Sequence, residues 1–298
     1  METVTLKMRA RNFRIGIVAI LAALGTFASA ALADELADKG RGIFRQHQHA
    51  VVTVQLVLKS KVSFGGRGGE SNESRQDVTG TVIDSSGLTV LSLSATDPSQ
   101  MLQSIMAGGA DEDSKFKMET ELSDVKILLE DGTELPSEVV LRDRDLDLAF
   151  IRPKSKVATP LLALDLTKSG KADILDQIVA LNRLGSAAGR SYAASVERIS
   201  SVVQRPRLFY VPGSSMNATM GAPAFTLDGK PLGIFVMRAL KGKGSSAGGL
   251  FGMFGQMDSV TQIILPAEEV LKAAKQAPAV GEQSSKPESP NDSKSPKK

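Results

Sequence analysis

The sequence predicts an all-β protein, built as a sandwich or barrel. Three observations point there: short runs in which apolar and polar residues alternate, two Asp-Gly pairs set between such runs, and turn residues recurring at short intervals up to Leu265.

Along the chain, 34–48 reads first as a short, weakly amphipathic helix that frays at Gly40 and Gly42. Val52, Val54, Leu56 and Leu58 then alternate with Thr53 and Gln55, the period of two that a half-buried strand requires. Ser63 to Asp77, rich in glycine, serine and charge, is expected to be a hairpin loop, and Thr89 to Leu93 is the next strand. Gln100 to Glu121, with Gly108-Gly109 and the acidic run Asp111 to Asp113, is expected to be a partly helical or disordered insertion. Val125 to Leu129 and Glu138 to Leu141 flank Asp131-Gly132, while Ala224 to Leu227 and Leu232 to Val236 flank Asp228-Gly229. Asp-Gly is a strong hairpin signal because both residues tolerate positive φ. Leu148 to Ile151, Ile178 to Leu181, Ser195 to Ile199 and Gln262 to Leu265 supply further strands. Pro266, at the first position of a helix, opens 267–276, where Val270, Leu271 and Ala274 share a face. From Ala277 to Lys298 proline, serine and lysine dominate without apolar periodicity, the composition of a disordered tail. Its terminal Ser-Pro-Lys-Lys reads as solvated rather than as a minor-groove contact.

Composition narrows the function classes. The 298 residues are 42% hydrophobic and 23% charged, which suits a folded chain with one or two cores. With no cysteine, disulfides, thiolate metal sites, iron–sulfur clusters and cysteine nucleophiles are excluded. With 4% aromatics and no tryptophan, a ladder of base-stacking platforms is not expected. The formal charge of +3 resides in the first 33 residues, where Lys7, Arg9, Arg11 and Arg14 precede an uncharged apolar run from Ile15 to Phe27 and then Ala31-Leu32-Ala33. Basic, apolar and small-residue parts in that order form a secretory signal peptide. An uncleaved membrane anchor is the alternative, although the run is shorter than a typical span of about 20 residues, and no later segment is suited to cross a bilayer. Without the leader, Lys+Arg falls from 36 to 32 and Asp+Glu from 33 to 32. A neutral chain has no electrostatic case for binding nucleic acid.

The order of pieces carries a resemblance. Gly80 to Asp84, Gly87-Leu-Thr-Val-Leu-Ser-Leu-Ser94, Asp131-Gly132, Asp147-Leu-Ala-Phe-Ile151, Met220-Gly-Ala-Pro223, Asp228 to Ile234 and Ile264-Leu-Pro266 together resemble a trypsin-like serine protease domain, closest to the bacterial HtrA/Deg family. The likeness spans about Ala50 to Gln276 and leaves no segment for the PDZ domain that usually follows. It implies two six-stranded antiparallel β-barrels, at about 48–154 and 158–266, meeting at a cleft, with the 267–276 helix outside. It also implies export from a bacterium, to the periplasm or beyond, and no cofactor. The oligomeric state stays open.

The catalytic positions that the resemblance assigns are degenerate. The family histidine falls on Ser94, and the aspartate is kept as Asp147. The family's Gly-Asn-Ser becomes Ala218-Thr219-Met220, so Met220 stands where the nucleophile would be and the oxyanion loop loses its glycine. A thioether has no proton for a base to remove, and losing even one triad member costs several orders of magnitude in rate. No catalytic residue is therefore expected, and Asp147 reads as a buried carboxylate satisfied by backbone donors. His47 and His49 read as a solvated turn before the first strand rather than metal ligands. Leu250, Phe251, Met253 and Phe254 sit on a glycine-rich backbone at 242–257, tucked against the second barrel or forming a ligand-contact loop. The expected function is a non-catalytic protease homologue that binds an unfolded polypeptide or regulates another protein. The alternatives are a hydrolase with an unorthodox site, with Ser214 and Ser215 near the cleft, and a structural cell-envelope component.

Overall fold

The computed structural model describes residues 35–64, 67–99, 116–213, 220–239 and 260–278. The expected leader lies outside these residues, as does the expected tail from 279 on, while Ala277 still bonds back to Ala274 O. Helix α1 (35–47) leads into twelve strands: β1 (Val51–Phe64), β2 (Arg67–Val82), β3 (Thr89–Ser92), β4 (Phe116–Leu128), β5 (Glu134–Asp143), β6 (Leu148–Pro153), β7 (Gln177–Arg183), β8 (Tyr192–Val203), β9 (Phe209–Pro212), β10 (Pro223–Thr226), β11 (Pro231–Ala239) and β12 (Val260–Pro266). A short helix α2 (Leu93–Thr96) follows β3, and α3 (Ala267–Ala274) follows β12. The strands close into two antiparallel barrels, ordered β1-β2-β3-β6-β5-β4 and β10-β11-β12-β9-β8-β7. Two six-stranded barrels and a short C-terminal helix are the fold class expected from the sequence, consistent with a trypsin-like fold.

Alternation explains how two barrels share one interface. Along β3 and β6, Leu91, Ala149 and Ile151 fill the first barrel with Val54, Leu56 and Ile127. Their neighbours Val90, Leu148 and Phe150 face the other way and join Phe225, Ile234 and Val236 of the second barrel in a shared core. Ile178, Ala180, Ile199, Tyr210, Phe235 and Ile264 fill the second barrel. Polar links reinforce the seam: Thr81 Oγ1 donates to Gly221 O at 2.8 Å, and Arg190 Nε pairs with Asp77 Oδ2 at 2.7 Å.

Four expectations need correction. Helix α1 runs unbroken through Gly40 and Gly42, because Ile43 is buried in the shared core and Phe44 packs against it. Tertiary packing there outweighs a glycine cost of about 1 kcal/mol each. The 63–77 segment is strand wherever it is described, in β1 to Phe64 and in β2 from Arg67. Its partner β1 is paired on both edges, to β2 from Val51↔Thr81 to Phe64↔Arg67 and to β4 from Thr53↔Leu128 to Phe64↔Phe116. A backbone ladder supports an exposed polar ribbon without apolar side chains. Gly69 is needed in it, since a Cβ there would meet Val62 O at 2.1 Å. The same ladder makes 116–121 strand rather than insertion, and 100–115 lies outside the described residues. Pro266 is the N-cap of α3 rather than its first residue, and the helix ends at Ala274. The four-residue strand β9, which the sequence did not announce, lies between β8 and β12. Among the described residues no helix is long and apolar enough to cross a membrane.

Candidate functional site

Asp147 lies in the turn that leads from β5 to β6, in the left-handed region at φ 56°. Its carbonyl accepts from Leu93 N at 2.9 Å, and the residue is only 8% exposed. Oδ1 accepts from Ser94 N at 2.7 Å and Ser94 Oγ at 2.6 Å. Oδ2 accepts from Ser92 Oγ at 2.5 Å and from Met237 N, on β11 of the other barrel, at 2.8 Å. A carboxylate offers about four lone-pair positions, and all are taken. Burial pushes the carboxyl pKa up, while the hydroxyl and amide donors oppose that shift.

Ser92 is completely buried, and its Oγ lies 3.7 Å from Met220 Sδ. A hydroxyl has a single proton. The shorter contact assigns it to Asp147 and leaves the thioether resting against the serine oxygen. Ser92 also holds the N-cap position of α2 yet makes no side-chain cap; the second amide of that helix, Ser94 N, donates to Asp147 Oδ1. Two serines, a methionine and a saturated carboxylate therefore meet where the resemblance places a triad. A serine becomes a nucleophile when a neighbouring base removes its proton, and among the described residues both serine hydroxyls meet a carboxylate rather than an imidazole.

Gly221 follows Met220 at φ 86°, and a Cβ there would meet Thr79 O at 2.2 Å. Only glycine allows this turn and this close approach together. The segment thus lies against the first barrel and is bonded to β11 of its own barrel, with Phe235 N donating to Ala222 O and Gly221 N donating to Phe235 O. Beyond Phe235, β11 continues to Ala239 along β12, through Met237↔Gln262 and Ala239↔Val260. On its β10 side the pairing stops at Phe235, and no described strand takes over. Met237 N turns instead to Asp147. Beyond Met237 N, which Asp147 takes, this edge of β11 has no partner strand among the described residues.

The histidines divide the sequence reading: His49 is exposed in the single turn Gln48–Ala50 just before β1, as expected, whereas His47 does not lie in a solvated turn. The continuous α1 carries His47 onto the second barrel, where its ring stacks on Phe225 with centroids 4.7 Å apart. Desolvation pushes the His47 pKa down, partly offset by a backbone hydrogen bond at Gly229. His49 Nδ1 lies 2.9 Å from Glu130 Oε2, and its ring stands edge-on to Tyr192 at 5.7 Å. Among the described residues no three His, Asp or Glu side chains gather as metal ligands.

Of the residues assigned from sequence, Ser94, Asp147 and Met220 lie together in this site. Ala218, Thr219, Ser214, Ser215, Leu250, Phe251, Met253 and Phe254 lie outside the described residues. Ser92 and the Met237 amide are additions. A polar residue between Leu91 and Leu93 in a buried strand was the available signal for Ser92, whereas a backbone amide has none. No protein-family model matches the chain, and no curated protein matches it either.

Proposed function

We propose that the chain is an exported, non-catalytic homologue of trypsin-like serine proteases of the HtrA/Deg kind, and that it binds polypeptide in extended form along the free edge of β11. The observation that carries the reading is the saturated Asp147 carboxylate. With Ser94 N and Oγ, Ser92 Oγ and Met237 N all donating to it, no acceptor remains to orient a catalytic base. Met220 supplies a thioether where a nucleophile would be needed. The site thereby becomes a pin between two barrels and leaves the cleft as a binding surface.

The edge supports the binding half. Phe235 directs its N–H and C=O toward the β10 side, so by the two-residue period Met237 and Ala239 present theirs on the same side. With the Met237 N–H held by Asp147, an added strand would take up the Met237 C=O and the Ala239 N–H and C=O by β-augmentation, a mode that needs no nucleophile. Export rests on the basic, apolar and small-residue leader.

The test is binding of the purified protein to unfolded casein and to extended peptides, beside an Ala239→Pro variant. Proline removes one edge donor and spares the ladder to β12, which uses the alternate residues. Wild type is expected to bind, and the variant to bind roughly tenfold more weakly. Wild type that binds neither unfolded casein nor peptide contradicts the proposal, as does a variant that binds equally well.

A further inference from the structure

A second site lies away from Asp147, where the two barrels and the connection between them frame an open pocket of about 260 Å³. Its apolar lining comes from Val51, Val82 and Leu128 of the first barrel and from Leu161 and Leu162 of the connection. Its polar lining gathers from segments far apart in sequence. Arg183, at the end of β7, holds its guanidinium 3.9 Å over the Tyr192 ring, and its Nε donates to Thr53 Oγ1 at 3.3 Å. Arg183 also hydrogen-bonds the Tyr192 hydroxyl, and its remaining N–H donors suit a carboxylate. Glu130 Oε2 receives His49 Nδ1 at 2.9 Å and the Tyr192 hydroxyl at 3.3 Å, so Oε1 remains as an acceptor. Asp131 stands next to it on the same lining, its carboxyl held below the usual range by hydrogen bonds from Thr133.

We propose that this pocket binds a small zwitterion with an apolar tail, of which a free aliphatic α-amino acid is the simplest case. The charge pattern selects it. A plain carboxylate drawn to Arg183 meets Glu130 and Asp131, and a plain amine drawn to those acids meets Arg183. A molecule carrying both charges satisfies both ends, with its side chain on the apolar lining. Size agrees, since the volume falls just below the range of about 300–1,000 Å³ that takes drug-sized ligands. The site shares no residue with the Asp147 cluster, so this inference stands apart from the function proposed above.

The experiment titrates the full-length protein with L-leucine, followed by calorimetry and by tyrosine fluorescence. The protein has no tryptophan and only two tyrosines, so Tyr192 contributes a large share of the signal. Isopentylamine lacks the carboxylate and 4-methylpentanoate lacks the ammonium; each is expected to bind at least about tenfold more weakly than leucine. Glu130→Gln, at an exposed position, is expected to keep the wild-type Tm and weaken leucine about tenfold, with 4-methylpentanoate unchanged or tighter. Leucine that produces neither heat nor a fluorescence change up to its solubility limit overturns the proposal. So does either single-charge analogue binding as tightly as leucine, or Glu130→Gln leaving leucine binding intact.

Discussion

Ser92, completely buried at the end of β3, gives its hydroxyl proton to Asp147 Oδ2 at 2.5 Å. That contact joins Ser94 and the Met237 amide in holding one carboxylate between two barrels. Its consequences are structural before they are chemical, and they can be measured.

Replacing Asp147 by Asn keeps the shape but turns one oxygen into an NH2 group facing the Met237 N–H or the serine donors. A loss of about 1–3 kcal/mol of stability at pH 7 is expected from the donor left unmatched. Because burial raises the Asp147 pKa above its ordinary value near 3.8, the folded state takes up this proton before the unfolded state does. Wild-type stability relative to Asp147→Asn therefore rises as pH falls through the raised value, and levels off below the unfolded one. Urea denaturation of both proteins from pH 7 down to about 4 checks the sign.

His47 acts in the opposite sense. Its pKa is lowered from 6.5 by burial against Phe225, so the stability contributed by its neutral form is present above 6.5 and is lost as pH falls through the depressed folded value. His47→Phe keeps a stacked ring without a titrating group. The variant is expected to lose that share of the acid sensitivity, seen as a flatter dependence of Tm on pH just below 6.5.

Gly221→Ala combines a left-handed backbone with a Cβ driven against Thr79 O at 2.2 Å. A destabilisation of roughly 3–5 kcal/mol is expected, from backbone strain plus overpacking. Chemical denaturation measures it, and wild-type stability in the variant would show that the turn can move off the first barrel at no cost.

Leu175 sits at φ 70° with 65% of its surface exposed, so its side chain brings strain and little burial. Leu175→Gly is expected to stabilise the protein by about 1 kcal/mol, the penalty of a left-handed leucine less the added freedom of the unfolded chain. A calorimetric Tm above wild type is the expected readout.

The barrels were legible in the sequence because inward-facing positions such as Val54, Leu56 and Ile151 follow the period of a strand, and because Asp131-Gly132 and Asp228-Gly229 mark turns. The polar ribbon of β1, β2 and β4 was not. Its residues are set by backbone pairing on both edges of β1, which leaves no apolar period to read. Asp147 stood out through the run Asp147-Leu-Ala-Phe-Ile151, and Ser94 and Met220 through their places in the order of pieces. The partners that decide what Asp147 does were hidden, since one is a backbone amide from the other barrel and another is a serine two residues before the position singled out. Arg183, Tyr192, Glu130 and His49 come from four separate segments, and only folding brings them to one pocket.

The most direct test of the central claim exposes the purified protein and its Met220→Ser variant to a fluorophosphonate probe and to unfolded casein. The account predicts that neither protein is labelled and neither cleaves, because a serine at 220 still finds no base and Asp147 has no lone pair to orient one. Labelling or cleavage by the wild-type protein that persists through purification to homogeneity would contradict it.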